Sequence, residues 1–191
     1  MYNINYFELM LRQNSGTAEQ INKIRWDFVG EVNPKIVLDY GSGVGWFRAW
    51  RPKDIEVDTY DTGNFVKTGI LHKKYDLVTM WDVLEHIPNL DEVLSGVCES
   101  TKYLALAVPI KPEDVKLEEW KHYKPGEHLH QFTEESLSNL LKEYGFIQVK
   151  KGQPECPPRK DIWNFLYKKS DIAPDPISWG HTHSYATSGR P

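Results

Sequence analysis

An acid, Asp39, stands two positions before the first of three alternating glycines, Gly41, Gly43 and Gly45, in the stretch VLDYGSGVGWF, and a second acid, Asp61, ends the next apolar run. Glycines so spaced let a backbone turn sharply and come close to a ligand. Their neighbours decide which ligand. A loop for nucleoside triphosphates needs Lys and then Ser or Thr after its last glycine, to meet phosphate and magnesium. Here Gly45 is followed by Trp46 and Phe47. A dinucleotide fingerprint wants Gly or Ala three positions after its second glycine, where helix and strand pack closely, and that position is Trp46. What remains suits a ligand with a ribose diol and a cationic centre but no pyrophosphate, because carboxylates accept from both ribose hydroxyls and attract a sulfonium or an ammonium. S-adenosylmethionine has those features. The plainer reading is that the glycines only close a tight strand-to-helix connection.

A second constellation lies in WDVLEHIPN, where Asp82, Glu85 and His86 stand at i, i+3 and i+4. One helical turn before Pro88 points all three the same way, and they could form an oxygen-and-nitrogen cluster for a metal. Alternatively Glu85 and His86 cap and brace the turn. His128 and His130 are two apart and on an extended segment face one side. Facing a pocket, one of them would be a general base or a further ligand. A hydrogen-bonded structural histidine ahead of the next helix is the plainer role for at least one. Trp120 and Tyr123 either wall an acceptor pocket or pack onto the domain.

The elements that must hold these residues follow from periodicity. Ile21, Ile24, Phe28 and Val29 predict an amphipathic helix over 18–30, stopped by Asn33-Pro34. KIVLDY is apolar on both parities, as in a strand covered on both faces, and leads into the glycines. A short helix from Gly45 to Arg51-Pro52 and the strand DIEVDTYD complete a βαβ unit. YDLVTMWD and YLALAVPI predict two more buried strands, flanking a helix whose Leu90, Leu94, Val97 and Cys98 share a face. Residues 111–127 form a long connection or lid. Thr133 caps a helix with Leu137, Leu140, Leu141 and Tyr144 on its stripe and Gly145 beyond its end. FIQVKK and IWNFLYKK, joined by PECPPRK, predict an antiparallel hairpin at a sheet edge. The fold class is therefore α/β: a Rossmann-like, mostly parallel open sheet with helices on both faces and a C-terminal antiparallel hairpin. The 62–74 segment is too short for a full helix, strand and connections, so a third strand is reduced or absent.

These pieces together resemble the class I S-adenosylmethionine-dependent methyltransferases, in particular the small methyltransferase-domain group with an LEH turn. VLDYGSGVGWF, YDLVTMWDVLEHIPNLDEVL and HLHQFTEESLSNLLKEYGF match in order and spacing, over roughly residues 34–170. The resemblance implies S-adenosyl-L-methionine as cofactor, with Asp39, Tyr40, Gly41, Ser42 and Gly43 at its methionine portion. It places the ribose hydroxyls on Asp61, with Asp58 as the alternative. Trp81 and Asp82 line the place where methyl group meets acceptor, and Asp82, His86 and His128 are the candidate catalytic residues. The family's adenine contacts are absent from the short segment or replaced, by Ile70 and Leu71. Relatives that methylate quinone precursors or the 2′-oxygen of small RNAs have Glu-x-x-Glu-His at this turn and use a divalent ion. Here Asp82 takes the first place, and no metal is expected.

Acceptor clues are mostly negative. Exocyclic-amine methyltransferases carry Asp/Asn-Pro-Pro-aromatic after this strand, whereas Asp82 is followed by Val83-Leu84. The cytosine-C5 type needs a Pro-Cys nucleophile, whereas Cys156 lies in Glu-Cys-Pro. The expected reaction is methyl transfer to an oxygen or nitrogen of a small molecule. The alternative is a catalytically silent relative that binds the cofactor or a nucleotide and acts through a partner. The 191 residues suit one domain, divided into a helical segment 1–33 covering the pocket, a methyltransferase domain 34–170 and a tail 171–191. Mixed charge, 23 basic against 27 acidic residues, does not indicate nucleic acid. Two distant cysteines and the lack of any apolar run long enough to span a bilayer point to a cytoplasmic protein with no membrane partner. Nothing in the sequence sets the oligomeric state.

Overall fold

The computed structural model describes residues 15–62, 73–155, 157 and 159–171. In chain order these form helix α1 (Ser15–Val29), strand β1 (Ile36–Tyr40), the single-turn helix α2 (Trp46–Ala49), β2 (Glu56–Tyr60) and β3 (Tyr75–Trp81). Helix α3 (Leu90–Ser100), β4 (Thr101–Pro109), α4 (Glu134–Glu143), β5 (Phe146–Gly152) and β6 (Ile162–Lys169) follow. The strands make one sheet in the order β2-β1-β3-β4-β6-β5. The β1–β2, β1–β3 and β3–β4 pairs are parallel, and β4–β6 and β5–β6 antiparallel. The predicted hairpin is therefore present at a sheet edge. Among the described residues no strand lies between Asp61 and Tyr75. Ile70, Leu71, Cys156 and the tail from residue 172 lie outside the described residues.

Alternation along the buried strands sends successive side chains to opposite faces. Leu38, Val78, Met80, Leu104 and Leu106 go to one core with Leu94, Val97, Leu137 and Leu141 from α3 and α4. Val37, Leu77, Ala105 and Ala107 go to the other with Trp26, Phe28 and Val29 from α1 and Phe47 from α2. Helix α1 is anchored by Trp26, whose ring stacks on Phe47 at 4.1 Å and whose Nε1 donates to the Phe47 carbonyl at 2.9 Å. Such a pair contributes about 1 kcal/mol beyond its buried area.

The stripe on α1 differs from the one expected. Asn22, Arg25, Trp26 and Val29, spaced i, i+3, i+4 and i+7, are buried, while Ile21 and Ile24 are only half-buried. The helix lies over a polar cavity, so an amide and a guanidinium occupy its inner face and isoleucine its flank. Helix α4 begins as expected: Thr133 Oγ1 accepts from the Ser136 N–H at 3.1 Å, and Ser136 Oγ accepts from the Thr133 N–H at 2.9 Å. This reciprocal cap is worth about 1 kcal/mol. The 111–127 connection is not all surface: Trp120 is buried, and only its neighbours reach the cavity. No helix among the described residues is long and apolar enough to cross a membrane.

Candidate active site

The sheet changes direction of winding between β1 and β3, and ligands of open α/β sheets bind beyond the strand ends at such a point. There the glycine loop is fixed from two sides. The N–H groups of Gly41 and Ser42 both donate to the Tyr60 carbonyl, at 2.7 and 3.0 Å, and so tie the loop to the end of β2. On the other side Gly41 presses against Val83: a Cβ there would lie 2.3 Å from Val83 Cγ2, and the backbone is left-handed at φ 77°. Only glycine meets both demands. The Gly43 N–H donates to Asp61 Oδ2 at 2.9 Å, and Tyr40 stacks on Tyr60 at 4.7 Å. Asp58 is directed elsewhere, accepting from Lys73 Nζ at 2.9 Å and from the Tyr75 hydroxyl at 3.2 Å.

Asp39, at the end of β1, is 2% exposed and accepts from the Thr79 hydroxyl at 3.0 Å. Burial pushes its carboxyl up to about 7, against the pull of that hydrogen bond and of the Arg25 charge. A half-protonated carboxyl facing a cavity at neutral pH is poised to gain from a cation.

Beyond β3 the chain departs from the expected single turn. Asp82 has a left-handed backbone, φ 59°, uncommon for a non-glycine residue, and Leu84–His86 follow as a 3₁₀ turn. Asp82 is therefore not grouped with Glu85 and His86. Its Oδ2 accepts from Arg25 at 2.9 Å and its Oδ1 from Arg159. Both guanidiniums also reach Glu155, which is buried in the β5–β6 turn: Arg25 Nε at 2.9 Å and Arg159 through its other amino group. Asn164 Nδ2 of β6 donates to the same carboxylate at 3.0 Å. Burial works to raise the Asp82 pKa, but Arg159 and Arg25 outweigh it and hold the group below the usual carboxylate range. This ring of two acids and two arginines joins α1, the end of β3 and the β5–β6 turn.

Glu85 is 2% exposed, and burial, reinforced by the Asp82 charge, pushes its carboxyl up to about 8. His86 Nδ1 lies 2.9 Å from the Glu127 carbonyl, which can only accept, so Nδ1 carries the proton. His128 is buried edge-on to His86, with ring centroids 4.7 Å apart, and burial holds its pKa below the usual histidine value. His130 does not share this side: its Nε2 bonds the Ile87 carbonyl at 2.8 Å and it is not in the cavity wall.

One cavity of about 780 Å³ runs through all of this, within the range of small-molecule sites. Asp39, Tyr40, Gly41, Ser42, Gly43, Asp61, Trp81, Asp82, Glu85, His86 and His128 line it, and Asp58, Trp120 and Tyr123 do not. Sequence reading missed Asn22, Arg25, His122 and Arg159 in the wall. The first two left a signal, polar residues on the only stripe of α1 that also holds Trp26. Arg159 and its partner Glu155 left none, sitting in a proline-rich turn remote in sequence from Asp82 and Arg25.

The chain matches the model of a family described as a methyltransferase domain over residues 16–151. No curated protein matches it in sequence. Solved structures share its fold at low identity. The mitomycin 7-O-methyltransferase MmcR is 13% identical with a TM-score of 0.63, and the match covers 81% of this chain and 53%, about half, of that one. A SAM-dependent methyltransferase from Archaeoglobus fulgidus is 20% identical with a TM-score of 0.61, over 86% of this chain and 100% of the other. A 1,6-didemethyltoxoflavin-N1-methyltransferase from Burkholderia thailandensis, solved with bound 1,6-didemethyltoxoflavin and S-adenosylhomocysteine, is 16% identical with a TM-score of 0.58, over 84% and 81%. The glycine loop, the acid after β2 and the family match over most of the chain agree: this chain belongs to the methyltransferase-domain family, among the class I S-adenosylmethionine-dependent methyltransferases.

Proposed function

We propose that the chain transfers a methyl group to an oxygen or nitrogen of a small, polar acceptor bound in the half of the cavity bordered by Arg25, Asp82, Glu85, His86 and His128. The observation that carries the reading is the continuity of one cavity from the glycine loop and Asp61 to that polar corner. When bound, S-adenosylmethionine supplies a methyl group already activated on a sulfonium. The residues present fit it. Asp39 meets the cationic amino-acid end, whose charge would offset the burial that raises this carboxyl. Gly41 and Gly43 allow close backbone approach, with Ser42 and Tyr40 beside them, and Asp61 accepts from the ribose hydroxyls. Trp81 and Asp82 stand between the two halves. In-line transfer from an activated donor needs alignment more than acid or base, and alignment is worth several kcal/mol. The arginine ring supplies it by fixing Asp82. The acceptor in MmcR and in the toxoflavin enzyme is, by their names, a small molecule.

The test is incubation with methyl-labelled cofactor and fractionated metabolite extract, with label transfer to a small molecule expected. Cofactor binding without transfer to any fraction would favour a silent, partner-acting protein instead.

A further inference from the structure

In the acceptor half of the cavity the acids are engaged, and donors are left over. Asp82 accepts from Arg25 and Arg159, and Glu155 accepts from both guanidiniums and from Asn164. Glu127 is held by Lys124 Nζ at 3.3 Å and Asp161 by Lys121 Nζ at 2.6 Å. Glu85, pushed up to about 8 by burial, is mostly uncharged at neutral pH. Arg159 lines the cavity with its side chain 24% exposed. One N–H goes to Asp82 and one to Glu155, and its remaining N–H groups have no partner among the described residues. A guanidinium fixed through two carboxylates, with donors to spare on the cavity side, is a preorganised receptor for an anion.

Local structure brings a second group to the same wall. The Lys121–Asp161 ion pair, with the Ile110 N–H donating to the Asp161 carbonyl at 3.2 Å, ties the 111–127 connection to the β5–β6 turn that carries Arg159. His122 thereby joins Arg159 in lining the cavity. Its buried Nε2 has no hydrogen-bond partner among the described residues, because Asp161 Oδ2, at 3.7 Å, is beyond bonding distance and already taken by Lys121. A buried nitrogen so orphaned calls for a partner. Burial, reinforced by the Lys121 charge, holds the His122 pKa below the usual histidine value, and a nearby anion would reverse that shift. Arg25 is placed differently: it is buried, and its charge acts on Asp39 at the glycine loop.

We propose that Arg159, assisted by His122, anchors a carboxylate of the methyl acceptor, which makes that acceptor a small carboxylic acid with its nucleophilic oxygen or nitrogen elsewhere in the molecule. The anchor rests on the methyltransferase reading of the cavity and narrows the acceptor class. A planar carboxylate matches the planar fork of a guanidinium. Arg25 and Arg159 are balanced in charge by Asp82 and Glu155. The corner therefore accommodates one negative charge, with Lys124 or a protonated His122 as counter-charge, better than the nearly double charge of a phosphate monoester. Holding the acid end sets where the nucleophile stands before the sulfonium, the alignment an in-line displacement needs.

The test titrates the full chain with benzoate and with benzamide, which differ in charge but hardly in shape. S-adenosylhomocysteine is kept saturating, so that its own carboxylate is already seated. Benzoate should bind at least about tenfold tighter, the scale of a hydrogen bond to a charged group. Arg159→Gln should abolish that preference, and His122→Ala, which leaves the arginine ring whole, should reduce it at least about threefold. Circular dichroism and urea midpoints report that each variant is folded. Equal affinity for the two probes, binding of neither, or an undiminished preference in either folded variant overturns the anchor. Benzoate binding only when S-adenosylhomocysteine is omitted assigns the anion site to the cofactor's carboxylate and overturns it as well. Displacement of benzoate by inorganic phosphate at equal or lower concentration overturns the carboxylate class. Benzoate selectivity in protein that gives no calorimetric heat with S-adenosylhomocysteine sinks only the methyltransferase reading. Cofactor binding without benzoate selectivity sinks only the anchor.

Discussion

If Asp39 holds the cationic end of the cofactor, binding must expel a proton from it. The carboxyl is raised from 3.8 to about 7 by burial. That difference of roughly 3 pH units is about 4 kcal/mol of disfavoured charge. A cation placed against the carboxylate offsets the desolvation and returns its pKa toward the ordinary range. At pH 6 about 0.9 of the apo molecules carry the proton and release it on binding, whereas at pH 8 about 0.1 do. Calorimetry in two buffers of different ionisation enthalpy counts those protons directly. The dissociation constant should fall about tenfold from pH 5 to pH 6 and level off above pH 7. Equal proton counts near zero at pH 6 and pH 8 would refute the pairing of Asp39 with the cofactor's charge.

The same shift has a sign in stability. The folded acid binds its proton more tightly than the unfolded one, so its contribution is full below about pH 4 and is lost as pH rises through about 7, a loss of about 4 kcal/mol. Asp39→Asn removes the ionisation. The apo variant should therefore gain stability over wild type at pH 8 and lose most of that gain at pH 5, read from urea midpoints. It should also release no proton on binding at pH 6.

The remaining predictions concern the walls. Asp61→Ala should weaken cofactor binding at least tenfold, about 1.4 kcal/mol, while Asp58→Ala, whose carboxylate is engaged by Lys73 and Tyr75, leaves calorimetric affinity unchanged. Glu155→Ala leaves the buried guanidinium of Arg25 and the half-buried one of Arg159 sharing one acid, and denaturant unfolding should show a loss of about 3 kcal/mol. Gly41→Ala combines a left-handed backbone with the collision at Val83, a loss of about 1–3 kcal/mol. Adding Val83→Ala should recover only the steric part in a double-mutant cycle.

The strands, α3, α4 and the glycine loop were legible because each rests on a local signal: double-parity apolar runs for Val37–Leu38 and Leu104–Val108, the Thr133 cap, the spacing of Gly41 and Gly43. The acid pair Asp39 and Asp61 was legible for a similar reason, since strand ends fix where their carboxylates emerge. What failed was the assumption that regular geometry continues past β3. Asp82, Glu85 and His86 share a face only if the chain enters an α-turn, and the left-handed Asp82 prevents it. That conformation has a tertiary cause. Arg25 on α1 and Arg159 in the hairpin turn converge on Asp82 from 57 and 77 residues away, and two guanidiniums outweigh a strain of about 1–3 kcal/mol. No window of sequence contains that convergence. Asp82 and Glu85 both stay in the cavity wall, but it is His128, not Asp82, that comes together with Glu85 and His86. The arginine ring is thus also what turns Asp82 away from Glu85.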